Sequence, residues 1–177
     1  LSEPREPLPV KLVASLFSED SELIEKACSY LETFFGPLDW KSNEIPFDKT
    51  RYYEKEMGGP LLRRFVSFER LISYEEIADI KIRTNTYEKG LCVSGRRTIN
   101  IDPGCISAER LILVTGKNYT HRVYLRRGIY ADLTLIYQAG SFRGLPWTYP
   151  DYGDKAIIEL FNGVRARYME QIRRNGY

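Results

Sequence analysis

Nine residues near the start of the chain, VKLVASLFS from Val10 to Ser18, constrain the fold most. Side chains alternate across a strand, and this run is apolar on both faces, so it predicts a strand in the middle of a sheet rather than at its border. A helix must follow almost at once. Asp20 or Ser18 can cap it, Leu23, Ala27, Tyr30, Leu31 and Phe34 keep helical spacing, and Gly36-Pro37 ends it. Residues 1–9 carry three prolines and read as an extended lead-in to one domain over residues 10–177.

The next segments alternate in type. LDWKSNEIPF reads as an edge strand, because Pro46 cannot donate to a ladder. In LLRRFVSFER, Arg64, Val66 and Phe68 share one face, and Arg63, Phe65, Ser67 and Glu69 share the other. Ser73 and Glu76 form a capping box before a second helix with Ile77, Ile80, Thr84, Tyr87 and Leu91 on its stripe; IKIRT within it could instead be a short strand. RRTINIDPG predicts a strand that stops in a tight turn at Pro103-Gly104. RLILVT, HRVYLR and IYADLTLIYQ are three more strands, the last two joined as a hairpin at Arg127-Gly128. SFRGLPWTYPDYG reads as loop. A final helix from about Asp154 to Arg174 buries Ile157, Ile158, Phe161, Val164, Tyr168 and Ile172. The order β-α-β-β-α-β predicts a single α+β domain: a ferredoxin-like plait, with both helices on one side of the sheet, extended by three antiparallel strands and a C-terminal helix.

VTGKNYT invites a phosphate-loop reading and fails it. Leu111 stands where the motif needs its first glycine, Asn118 stands where it needs Ser or Thr, and HRVYL continues as strand rather than helix. The segment is expected to be a strand connection in which Gly116 supplies a backbone angle other residues resist. Composition narrows the classes further. With 43% hydrophobic and 28% charged residues the chain is ordinary globular material, and a net charge of +2 is too small to argue for a nucleic-acid or membrane surface. Three cysteines with no close pair make neither a disulfide framework nor a zinc ribbon and suit a reducing, cytoplasmic setting. No apolar run is long enough for a membrane span or signal peptide.

The tract FFGPLDW…IPFDKTRYYEKEMGGPLLRRFVSFERLI, then GRRTINIDPG, HRVYLRRGIYADLTLIY and WTYPDY, together resemble a bacterial family known as domain of unknown function 4416. The likeness runs from Pro9 to about Gln171. It implies a small stand-alone prokaryotic protein and carries no activity with it.

Candidate chemistry lies where strands carry polar residues. Thr98, Asn100 and Asp102 share one strand face, and Tyr130, Asp132 and Thr134 share another. If both faces line one concavity, Asp102 and Asp132 can meet His121, the only histidine, as an acid/base pair; the plainer alternative is a solvated sheet face with His121 hydrogen-bonded, drawn coreward by Val123 and Leu125. The same three side chains could hold magnesium or manganese through oxygen, a weaker reading because close-spaced ligand pairs are missing. Lys81, Asn85 and Glu88 share a helix face, either as a ligand-binding set or as a solvated surface. Arg63 and Arg122 could anchor a carboxylate or phosphate. Tyr52 and Tyr53, on a flap ending at Gly58-Gly59, and Trp147 and Tyr149 could stack a base or sugar, or simply pack loops. None of the three thiols has a histidine beside it in sequence, so nucleophilic catalysis is poorly supported. The expectation is a protein or enzyme that binds a small anionic molecule, a nucleotide-like one among the candidates, with the cofactor left open and nucleic acid not the expected partner. The alternative is a non-catalytic module that docks protein or RNA through exposed strands and tyrosines.

Overall fold

The structure, a computed structural model, describes residues 1–48 and 57–177. In chain order these form β1 (Val10–Ser18), α1 (Ser21–Phe35), β2 (Leu38–Lys41), β3 (Ile45–Pro46), β4 (Leu62–Ile72), α2 (Ile77–Gly90), β5 (Ile99–Ile106), β6 (Arg110–Thr115), β7 (Arg122–Arg126), β8 (Ile129–Gln138), β9 (Ser141–Gly144) and α3 (Lys155–Arg174). The fold is α+β. Among the described residues, nine strands make one antiparallel sheet in the order β2-β4-β1-β5-β6-β8-β7, with β3 also on β4 and β9 also on β8. No described helix is long and apolar enough to cross a membrane.

The apolar run at Val10–Ser18 takes the central place its pattern requires. β4 and β5 flank it, with Ala14 opposite Val66 and Leu16 opposite Ile101, and all nine residues are buried. Val10, Leu12, Ala14 and Leu16 pack with Ile24, Ala27 and Leu31 of α1 and Ile77 and Ile80 of α2. Val13, on the opposite face, packs with Phe65 and with Ile157, Phe161 and Val164 of α3. The sheet is therefore covered on both faces, by α1 and α2 on one side and by the C-terminal helix on the other. Full burial of such a side chain is worth about 1.5–3 kcal/mol. That explains why a strand must be apolar on both sides here.

Helix boundaries follow their caps. Asp20 accepts from Glu22 N–H at 2.8 Å, and Gly36 closes α1 at a positive φ of 86°, where its N–H donates to Glu32 O. Ser73 and Glu76 make the expected capping box, on a 3-10 turn, Tyr74–Glu76, that runs directly into α2. The apolar side of α1 is turned by one residue from the predicted stripe: Ile24, Cys28 and Phe35 are buried, while Phe34 is exposed under the Arg83 guanidinium. IKIRT is helical, within α2.

Four local expectations are corrected. Pro103-Gly104 is not a turn; β5 runs through it to Ile106. Ile101 directs its N–H and C=O away from β1, and alternation puts the Pro103 nitrogen on that same side, where β6 has not yet begun to pair. Gly104 is needed for close approach: a Cβ there would lie 2.5 Å from the Ile112 carbonyl oxygen. SFRG, read as loop, is β9, joined to β8 through a turn at Ala139-Gly140 with φ 49° and 85°. Gly116 has no left-handed angle and open space where a Cβ would be. Val123 and Leu125 are exposed, so β7 does not draw His121 into a core. The hairpin at Arg127-Gly128 stands, with φ 51° and 78° suited to the twist of its strands.

Candidate functional site

β8 is the platform of the site. β7 pairs with its first half and β9 with its second, both on the edge away from β6, which leaves Leu133 and Thr134 without a strand partner on that edge. The loop after β9 fills that gap. Trp147 Nε1–H donates to the Leu133 carbonyl at 2.8 Å, and Thr148 Oγ donates to the Thr134 carbonyl at 2.6 Å. These two side chains supply the donors that a strand would have supplied.

This places Trp147 beside the histidine. The His121 ring lies flat on Trp147, with centroids 5.2 Å apart and planes 12° from parallel, and Tyr119 meets it edge-on at 5.5 Å. His121 Nε2 is 3.1 Å from Asp132 Oδ2, and Arg122, opposite Asp132 in the β7–β8 ladder, donates Nε–H to the same oxygen at 2.8 Å. Thr134 Oγ donates to the Asp132 carbonyl and lies 3.4 Å from Oδ1. Arg122 also donates to Lys117 O at 3.0 Å and to the Tyr149 hydroxyl at 3.2 Å. Burial would weaken its proton, but the bonds to Asp132 and Tyr149 outweigh that and raise its pKa. Five predicted residues, His121, Arg122, Asp132, Trp147 and Tyr149, thus form one cluster.

Asp102 belongs to another. Gly104 opposes Leu113 and Leu113 opposes Asp132, so Asp102, two residues before Gly104, shares the Asp132 sheet face. Its bonds go elsewhere. β5 pairs with β6 only from Gly104 onward, and Lys81 and Glu88 reach from α2 to the open edge before it. Lys81 Nζ donates to Ile101 O at 2.7 Å, and Ile101 N–H donates to Glu88 Oε1 at 2.8 Å. Lys81 also bonds Asp102 Oδ1 at 3.3 Å, Asn100 Nδ2 donates to Asp102 Oδ2 at 2.8 Å, and Arg97 donates to Asn100 Oδ1 at 2.7 Å. Lys81, Glu88 and Asn100 are buried, so the solvated helix face does not exist; Asn85 is half-buried beside them. Burial pushes the Glu88 carboxyl above its usual range, against the pull of Lys81. The single concavity expected to join Asp102, Asp132 and His121 is corrected to two clusters, because the break between β5 and β6 commits Asp102 to Lys81. Among the described residues no three His, Cys, Asp or Glu side chains are placed to hold a metal ion.

Arg63 stands apart. It is buried, ion-paired with Asp151, and its guanidinium lies 4.0–5.5 Å from the ring centroids of Phe47, Phe65, Tyr152 and Phe17. It forms part of the wall of a cleft of about 520 Å³ lined mainly by Ile45, Pro46, Phe47, Ile157 and Leu160. A cleft of about 600 Å³ between α1 and α2 is lined by none of the predicted site residues. Tyr52 and Tyr53 lie outside the described residues. The two buried thiols are poor nucleophiles: burial pushes Cys28 to about 11 and Cys105 to about 12.

Sequence reasoning missed Asp151 and Lys11. Lys11 is wholly buried, with Nζ donating to Phe68 O at 2.9 Å and Gln171 Oε1 at 2.8 Å and paired with Asp39 at 2.5 Å. Burial lowers its pKa although Asp39 opposes the shift. The signal was present: a lysine inside a strand apolar on both faces has no route to water.

No curated protein and no solved structure matches the chain. The family model described as Domain of unknown function (DUF4416) matches residues 8–168, from the start of β1 into α3, and the chain belongs to that family.

Proposed function

We propose that the His121 cluster is a binding centre for a small anionic molecule with a planar part, and that His121 handles a proton there. One observation carries the reading: the imidazole is fixed by a buried carboxylate through one nitrogen and by a flat indole against its face. With Nε2–H given to Asp132, Nδ1 is the nitrogen left to take or deliver a proton. Arg122 spends three of its five N–H groups on Asp132, Lys117 and Tyr149. The others can meet an anion, while the exposed rings of Trp147, Tyr149 and Tyr119 offer stacking surface for a base or sugar.

The scaffold fits a ferredoxin-like plait built from β1-α1-β2-β4-α2-β5. Support comes from the strand order β2-β4-β1-β5 and from α1 and α2 sharing one apolar cluster. Three free thiols agree with a cytoplasmic setting. The second reading, a module that docks another macromolecule, draws on the exposed apolar side chains of β7.

The test is a thermal-shift screen of anionic metabolites, nucleotides included, on the native protein and on His121→Asn, joined to NMR of the single imidazole. A true ligand at 100 times its Kd stabilises the native protein by about 2.7 kcal/mol. It should leave the variant's melting unmoved and displace the imidazole titration. A ligand that stabilises both proteins equally places the site elsewhere.

A further inference from the structure

We propose that the cleft between α1 and α2 binds a small molecule that carries a phosphate group on a flat apolar ring. This site is separate from His121 and does not rest on that reading. Gly104 opposes both Val13 and Leu113, and Leu113 opposes Asp132, so Asp132 shares the face that α3 covers. The cleft lies on the other face, and its volume of about 600 Å³ is that of a metabolite pocket.

Charge defines one half of the ligand. Four guanidinium groups gather here around two carboxylates. Arg70 gives two N–H groups to Glu76, both at 3.0 Å. Arg127 donates to Asp79 Oδ1 at 2.8 Å, and Arg126, just outside the lining, pairs with Asp79 through Oδ2. Arg83 lines the cleft, and among the described residues no carboxylate pairs with it. Two positive charges stay unmatched, which a phosphate monoester above its second pKa of about 6 would balance. The planar guanidinium fork suits phosphate oxygens.

Rings define the other half. Phe34 is 45% exposed at the cleft, with the Arg83 guanidinium 4.1 Å above it and the Tyr30 ring 5.0 Å away. Phe35 and Ile80, both buried, complete an apolar lining between the two helices. A flat ring entering beside Phe34 would take that surface out of water. A bare anion would leave Phe34 wet, and a neutral ring would leave the two charges unmatched.

Naphthyl phosphate is the probe, titrated into the full chain at about pH 8, where the ester is a dianion. Half-saturation is expected near about 0.5 mM, ordinary for a ligand of this size. Its ring should shift the NMR signals of Ile80 and Ile82 and leave the His121 imidazole unmoved, and His121→Asn should bind it equally well. Arg83→Gln and Arg127→Gln, both at exposed side chains, should each weaken binding by at least about fivefold. Inorganic phosphate and naphthol, each lacking one half, should bind at least about tenfold more weakly. Circular dichroism melts check folding, and if one variant unfolds the other decides. No saturation by about 5 mM, shifts confined to His121, equal binding of either fragment, or native affinity in the folded arginine variants each overturns the proposal.

Discussion

Two gaps in the sheet are closed by side chains, at Ile101 and at Leu133 and Thr134, and the two repairs differ in kind. At Ile101 the missing strand is replaced by Lys81 and Glu88, two charged side chains brought out of water by α2. At Leu133 and Thr134 it is replaced by an indole N–H and a hydroxyl from a surface loop. Both satisfy backbone groups. Only the first carries a desolvation penalty, and that penalty is met only while the ammonium and carboxylate remain together. The second is inexpensive and movable, and it is the one beside His121. A charged repair suits a place that must stay shut, and a neutral one suits the rim of a site.

The sharpest way to break this comparison is Lys81→Ala. It strands the Glu88 carboxylate in the interior and leaves Ile101 O without its donor, so a loss of about 3–5 kcal/mol is expected in urea unfolding. A loss below about 1 kcal/mol would mean that the break is held by packing alone.

Trp147→Phe is the matching change at the other repair. The indole is partly exposed, so water can take its place on the Leu133 carbonyl, and the expected loss is about 0.5–1.5 kcal/mol. The His121 NMR signals should move with it, because the ring that stacks on the imidazole changes. Unmoved signals would uncouple the loop from the site.

The smallest effect is a slope. The Glu88 pKa is raised by burial, so between its ordinary value of 4.5 and its folded value the native state binds more protons than the unfolded chain. Its stabilising term is whole below 4.5 and is lost as pH rises through the folded pKa. Glu88→Gln keeps an acceptor for Ile101 N–H and cannot titrate. Stability curves of the two proteins should therefore diverge in favour of the variant as pH rises from 4.5. Parallel curves would show that Lys81 and Arg97 fully offset the burial.

Much of the architecture was legible because it is local. Val10–Ser18 announced a central strand, Ser73 and Glu76 announced a helix start, and His121 with Asp132 was a contact that alternation could suggest. What stayed hidden depends on where strands part. Pro103-Gly104 looks like a turn to any local rule; that the proline would face an unpaired edge and the glycine a crowded one follows only from the β5–β6 break. Lys81 and Glu88 look like a solvated pair for the same reason. The helix carrying them has to be docked before either is seen to be buried.

Lys11 has a consequence for the order of assembly. Its ammonium needs Phe68 from β4, Asp39 from β2 and Gln171 from α3, the last 160 residues away. A chain growing from its first residue acquires the middle of the sheet early and the final helix last. Until Gln171 arrives, the central strand holds a cation short of one bond, on the face that α3 will cover. The first strand to be made is thus among the last to be settled.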